Sequence, residues 1–186
     1  MMPVINQYCK DLQSVIAKAN WQPLQELGEC LLKAIRDKRQ VFICGNGGSA
    51  GNAIHLANDF LYGVEPSGRA MRVEALSANS AVLTCLGNDL GYEQIFAQQL
   101  KVKAVPGDIL IVLSGSGNSE NIVQALKVAK EYEMKSFAIL GYSGGKAKSL
   151  ADSAIHFAID DMQIAEDLQL ITGHMLMKYL KGELKA

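Results

Sequence analysis

From residue 40 onward the chain repeats one pattern: a short apolar run rich in Val, Ile and Leu, then a stretch whose apolar residues keep helical spacing. Residues 40–44, 72–76, 109–113, 136–140 and 154–159 read as strands, each bounded by glycine or polar clusters. Helical periodicity follows over residues 49–61, 92–102, 119–132, 145–151 and 163–180. Several strand runs are apolar on both faces, which suits a sheet covered on both sides. This order predicts an α/β fold with a doubly wound, five-stranded parallel sheet. Ahead of it, Leu12, Ile16, Leu24, Leu27, Leu31 and Ile35 keep helical spacing with a break at residues 21–23, so residues 1–37 are expected to form N-terminal helices.

A chain of 186 residues can bury its apolar side chains in one core, and it holds no internal repeat, low-complexity tract or long linker. The reading is one domain over residues 1–186, with residues 63–70 as a loop. Hydrophobic residues make up 49% and charged residues 20%, the balance of a folded globular protein. Eighteen Lys and Arg oppose nineteen Asp and Glu without a basic block, which excludes a nucleic-acid backbone as ligand. Every apolar run is cut well short of the roughly 20 residues that cross a bilayer, so no membrane span is expected. Cys9, Cys30, Cys44 and Cys85 show no CxxC spacing and no charged leader opens the chain, so a reducing cytoplasm is the expected compartment.

In a doubly wound sheet, ligands sit beyond the carboxyl ends of the strands, where glycine-rich loops lead into helices. Cys44-Gly45-Asn46-Gly47-Gly48-Ser49-Ala50 is one such loop. It is either an anion-ready turn or a plain tight connection capped by Ser49. The second, Ser114-Gly115-Ser116-Gly117-Asn118-Ser119, brings hydroxyls to a helix N-terminus. Such an arrangement suits a phosphate dianion without any cationic side chain, since the helix end carries partial positive charge. On the helix after the first loop, His55 and Asp59 are four apart; on the last helix, Glu166 and His174 are eight apart. Each pair lies near one helix face, as proton shuttles, as ligands to a divalent ion such as zinc, or as plain surface pairs. His156, inside a strand run beside Phe157, is expected to be structural.

The two loops together resemble those of the phosphoheptose (sedoheptulose 7-phosphate) isomerases of the sugar-isomerase (SIS) family. The likeness continues through Thr84-Cys85-Leu86-Gly87-Asn88-Asp89-Leu90-Gly91-Tyr92, Phe96 and Gly144-Gly145-Lys146, nearly the whole chain from the first helix. It implies a flavodoxin-like SIS domain, a homotetramer with sites at subunit interfaces, and an aldose-ketose isomerase. The reaction implied converts sedoheptulose 7-phosphate to D-glycero-D-manno-heptose 7-phosphate, the initial step toward bacterial heptose precursors for lipopolysaccharide or capsule. By the same likeness Asn46, Gly47, Gly48, Ser49, Asn88 and Asp89 would line the sugar, and Ser114, Gly115, Ser116 and Ser119 would hold its phosphate. His55, Asp59, Glu166 and His174 would hold zinc, Asp59 and Glu166 would also face the substrate, and Asp59 and His174 would serve as base and acid through an enediol.

Some positions depart from the family pattern. Gly115 replaces a common threonine, which removes one hydroxyl but leaves a backbone NH. Asp59 stands for glutamate and Glu166 for glutamine, so the shorter carboxylate is expected to fall roughly 1–1.5 Å short unless its helix shifts. Glu166 could then bind the ion or take the base role. An arginine common four residues after the glutamate is Gly63 here; Arg69 would replace it only by a folded-back loop, and solvation is the expected use of Arg69 and Arg72. These departures keep open a non-catalytic relative resembling the replication-initiation regulator of this family. Retention of His55, Asp59 and His174 argues against it, because a binding protein needs no ionisable cluster in its crevice.

Overall fold

The computed structural model of the chain describes residues 1–67 and 70–185. Two helices open it, α1 (Met2–Lys18) and α2 (Gln22–Arg36), split by Trp21 as the following Pro23 starts a new first turn. Five parallel strands follow in the order β2-β1-β3-β4-β5: β1 (Gln40–Gly45), β2 (Arg72–Ala75), β3 (Ile109–Ser114), β4 (Lys135–Leu140) and β5 (Ser153–His156). Between and after them run α3 (Gly48–Asn58), α4 (Ser80–Leu90), α5 (Ala97–Lys103), α6 (Glu120–Glu131), α7 (Gly145–Leu150) and α8 (Met162–Glu183). No described helix is long and apolar enough to cross a membrane.

Alternation along each strand divides the interior in two. Val41, Ile43, Ile109, Ile111, Leu113, Phe137 and Ile139 face α2, α3 and α8, where they meet Leu27, Leu31, Leu56, Leu168 and Leu176. Phe42, Cys44, Leu110, Val112, Ala138 and Leu140 face α5, α6 and α7, against Leu100, Ile122, Leu126 and Ala147. All six residues of β3 are buried, as a central strand covered on both faces requires. Each fully buried Leu, Ile or Phe contributes roughly 1.5–3 kcal/mol.

α3 thus leaves β1 toward one face, and α6 leaves β3 toward the other. β1 and β3 are neighbours, with Gly45 opposite Leu113 at the end of the ladder. The loops after these two strands therefore diverge and open a crevice at the carboxyl edge.

Several elements differ from the sequence reading. α4 has no fully buried residue and packs only the half-buried Leu83 and Leu86 on the core; the Asn79 side chain starts it by accepting from Val82 N at 3.2 Å. The helix expected over residues 92–102 is a 3-10 turn, Tyr92–Gln94, followed by α5. α3 gives way at Asp59 to one turn of π-helix, Asp59–Gly63. β5 ends at His156, short of residue 159. Arg69 and its place in the 63–70 loop lie outside the described residues.

Close approach fixes Gly45. A Cβ there would stand 2.7 Å from the Ser49 carbonyl oxygen and 2.8 Å from Ser49 Cβ, and backbone cannot step aside. Gly45→Ala is expected to destabilise the fold by about 1–3 kcal/mol, read as a lower urea midpoint at unchanged slope.

Candidate active site

The first loop turns at Gly47, whose φ of 55° favours glycine, and then opens α3. Ser49 does not present its hydroxyl to solvent. It is 4% exposed and accepts from Gln169 Nε2 at 3.0 Å, while Asn52 Nδ2 donates to the Glu166 carbonyl at 2.9 Å and to Gln169 Oε1 at 3.0 Å. These bonds tie the start of α3 to α8. The sequence reading missed Asn52 and Gln169; a glutamine only 1% exposed on a long helix is the signal, and it requires coordinates to see.

In the second loop Ser114 Oγ accepts from Gly117 N at 3.0 Å and Ser116 Oγ from Asn118 N at 3.2 Å. Asn118 Oδ1 accepts from Lys146 N at 3.1 Å, which explains the pairing of this loop with Gly144-Gly145-Lys146. Ser119 caps α6 without closing its hydroxyl onto the helix. Asn46, Gly47, Gly48, Ser49, Ser114, Gly115, Ser116 and Ser119 line a cavity of about 230 Å³ together with Leu113, Met162 and Glu166. No Lys or Arg is among the lining residues, so an anion there meets hydroxyls and the N-terminal ends of α3 and α6. A Cβ built at Gly115 would stand 2.5 Å from Met162 Sδ, so a thioether fills the room a larger side chain would take. Larger cavities lie elsewhere: one of about 420 Å³ at the amino-terminal edge of the sheet around Lys38, Arg39 and Arg72, and one of about 430 Å³ between α2 and α8 beside Trp21 and Tyr179; neither includes a residue of the two loops.

Further along the α3–α8 pair, three titratable groups converge. His55 Nε2 and His174 Nε2 are 3.0 Å apart, and Asp59 Oδ2 is 3.5 Å from each. The rings meet edge to face at 5.3 Å between centroids. Gly173 permits this approach, since a Cβ there would strike the Leu56 side chain. Both imidazoles are 48% exposed and Asp59 17%, so the group is open to solvent on one side. The donor set fits zinc. A tetrahedral ion bound at about 2.0–2.1 Å separates its ligand atoms by about 3.3–3.4 Å, close to the three edges seen.

Glu166 is not in this group. Eight residues along α8 from His174 is about 12 Å of helix, and its carboxylate stands over Gly48, where a Cβ would collide with it. The expected quartet is therefore a triad, and Glu166 belongs to the phosphate-loop cavity. Asn88 and Asp89 also lie apart from that cavity. Asn88 Nδ2 donates to Asp89 Oδ1 at 2.7 Å, and Cys85 Sγ donates to Asp89 Oδ2 at 3.5 Å, which holds the Cys85 thiol above its ordinary pKa. His156 bonds the Tyr142 carbonyl through Nε2 at 2.9 Å and faces Lys148 Nζ at 3.1 Å through Nδ1, a structural arrangement. At Gly63 the room is taken by the Met177 methyl, 2.5 Å from a built Cβ.

Comparison with known proteins bears on this geometry. The SIS domain family matches residues 6–141. The chain is 36% identical over 145 residues to the phosphoheptose isomerase of a Nitratiruptor species, covering 78% of each. It superimposes on the structure of a phosphoheptose isomerase from Francisella tularensis with a TM-score of 0.91 at 27% identity, over 97% of this chain and 98% of that one. Phosphoheptose isomerase GmhA from Neisseria gonorrhoeae gives 0.88 at 25% identity with the same coverage. By its family match and its identity to these relatives over most of the chain, this chain belongs to the phosphoheptose isomerase family of SIS-domain proteins.

Proposed function

We propose that the protein is an aldose-ketose isomerase converting sedoheptulose 7-phosphate to D-glycero-D-manno-heptose 7-phosphate, in bacterial heptose synthesis for lipopolysaccharide or capsule. The observation that carries this reading is the pairing of a cation-free oxyanion cavity with a His55–Asp59–His174 cluster on the same two helices. Ser114, Gly115, Ser116 and Ser119 hold the phosphate, and Asn46, Gly47 and Gly48 meet the sugar. An open-chain heptose phosphate has the length to run from this cavity toward the cluster.

The chemistry needs one proton moved between neighbouring carbons and no redox partner. A carboxylate takes the proton from C1 of the ketose, the C1–H electrons form the C1–C2 enediol, and an acid protonates the C2 oxygen. Return of a proton to C2 with loss of one from O1 gives the aldose. Asp59 is the base and His174 the acid beside it, with Glu166 the second carboxylate available to the substrate. Zinc held by His55, Asp59 and His174 would polarise the sugar carbonyl as a Lewis acid. In the metal-free site His174 Nε2 carries the acid's proton; with both Nε2 atoms given to an ion, the free carboxylate oxygen of Asp59 would be the group of the cluster left to move protons.

We further read residues 1–186 as one SIS domain working in the cytoplasm as a homotetramer. Four free cysteines suit a reducing compartment. Assembly is supported by α1, which leans on the core through Tyr8, Leu12, Val15 and Ile16 but leaves Met2, Val4 and Ile5 exposed, and by exposed Ile54, Leu61 and Tyr62 on the segment that carries His55 and Asp59. The second reading, a sugar-phosphate-binding regulator, is favoured by the shortened carboxylate at Asp59 and the glycine at Gly63.

Incubation with sedoheptulose 7-phosphate in deuterated water separates the two. Deuterium should enter at C1, and a chelator should suppress the exchange; binding without exchange would instead identify a regulator. Asp59→Ala and Glu166→Gln should each lower the isomerisation rate by about 10²-fold or more, and full activity in either variant removes that residue from the mechanism.

A further inference from the structure

Asn121 lies in the first turn of α6, directly behind the serine loop, and is 2% exposed. A polar side chain so deeply buried must find partners. It finds them on the other loop: Asn46 Nδ2 donates to Asn121 Oδ1 at 2.9 Å, and Asn121 Nδ2 donates back to Asn46 Oδ1 at 2.8 Å. The Tyr92 hydroxyl, from the turn after α4, donates to the same Asn46 oxygen at 2.9 Å. Both lone pairs of Asn46 Oδ1 are then used, and of the two Asn46 amide protons one is committed to Asn121.

The position of this closed amide pair gives it consequence. The β1–β3 ladder ends with Gly45 opposite Leu113, and beyond it the chain departs to opposite faces of the sheet. The two Asn side chains bridge the loops past the end of that ladder. We infer that Asn121 is a positioning residue: it sets the spacing between the sugar loop and the phosphate loop, and it orients Asn46 so that its remaining N–H serves as a donor to a sugar oxygen. This rests on the reading of the cavity as a sugar-phosphate site.

The inference separates two ligands. Inorganic phosphate needs the serine loop alone, whereas sedoheptulose 7-phosphate must touch both loops. In Asn121→Ala, calorimetric affinity for sedoheptulose 7-phosphate should fall roughly 10-fold while that for inorganic phosphate stays within about twofold. KM should rise with kcat changed less. Tyr92→Phe, an exposed site that loses one hydroxyl, should weaken the sugar phosphate about two- to threefold and leave inorganic phosphate alone; it serves where Asn121→Ala does not fold. In the double variant the two losses should not add, because both act through Asn46.

Equal loss for both ligands, or no loss for the sugar phosphate, overturns the positioning role. Wild-type protein that binds the sugar phosphate without C1 exchange overturns the isomerase reading and leaves the positioning role judged on affinity. Wild-type protein that binds inorganic phosphate but no sugar phosphate overturns both.

Discussion

The parallel pairing of β1 with β3 is the constraint on which the site depends. β1 runs on through α3 to β2 on one side and β3 through α6 to β4 on the other, so right-handed crossovers send the two helices to opposite faces of the sheet. The carboxyl ends of these strands thus become a place where two glycine-rich turns stand side by side and yet part. A cavity there is a consequence of chain topology, and its chemistry follows from what the turns contain. Glycine at Gly45 and Gly47 lets the backbone bend sharply enough to start α3 beside β1. Serine at Ser114 and Ser116 folds the second turn by bonding its own backbone.

Electrostatics then divides the α3–α8 pair into two regions. At its start, helix N-termini and hydroxyls favour negative charge, with the Glu166 carboxylate the one acidic group lining the cavity. Further on, two imidazoles and a carboxylate gather in a geometry that favours a cation. A ligand with a phosphate at one end and a polarisable carbonyl toward the other matches that division, whereas a simple anion would use only the first half. The bonds from Asn52 and Gln169 keep the two helices in register, so both regions are held by the same interface.

Much of this was legible in the chain itself, for definable reasons. The strands announced themselves because burial on both faces demands continuous apolar runs, and the loops because a strand-to-helix turn near a ligand admits only small residues. α4 was illegible because its inward strip, Leu83 and Leu86, is short and only half-buried. The misgrouping of Glu166 has a geometric origin. Spacing of eight along a helix says that two side chains share roughly one face, but it also places them about 12 Å apart, and which distance matters is decided by the partner helix. Asn46, legible as a small polar residue in a glycine-rich turn, gave no hint that its amide would be held by a buried Asn121. Pairings of that kind connect residues 75 apart, and no local pattern encodes them.

The aspartate at Asp59 shows that the shorter carboxylate can still complete the cluster. One methylene fewer than glutamate retracts the carboxylate by roughly 1–1.5 Å, and a rigid helix would leave it short of its neighbours. Here Asp59 Oδ2 reaches 3.5 Å from both imidazoles, and at this same residue the helix widens into a π turn, with Val64 N bonded to the Asp59 carbonyl at 3.1 Å. Such turns add a residue to a helix without breaking it and recur at functional sites. On the other helix, Gly173 lets α8 press against Leu56 and bring His174 in from the opposite side. The shorter acid is nonetheless within reach of both partners, and its carboxylate stays only 17% exposed beside two half-open imidazoles.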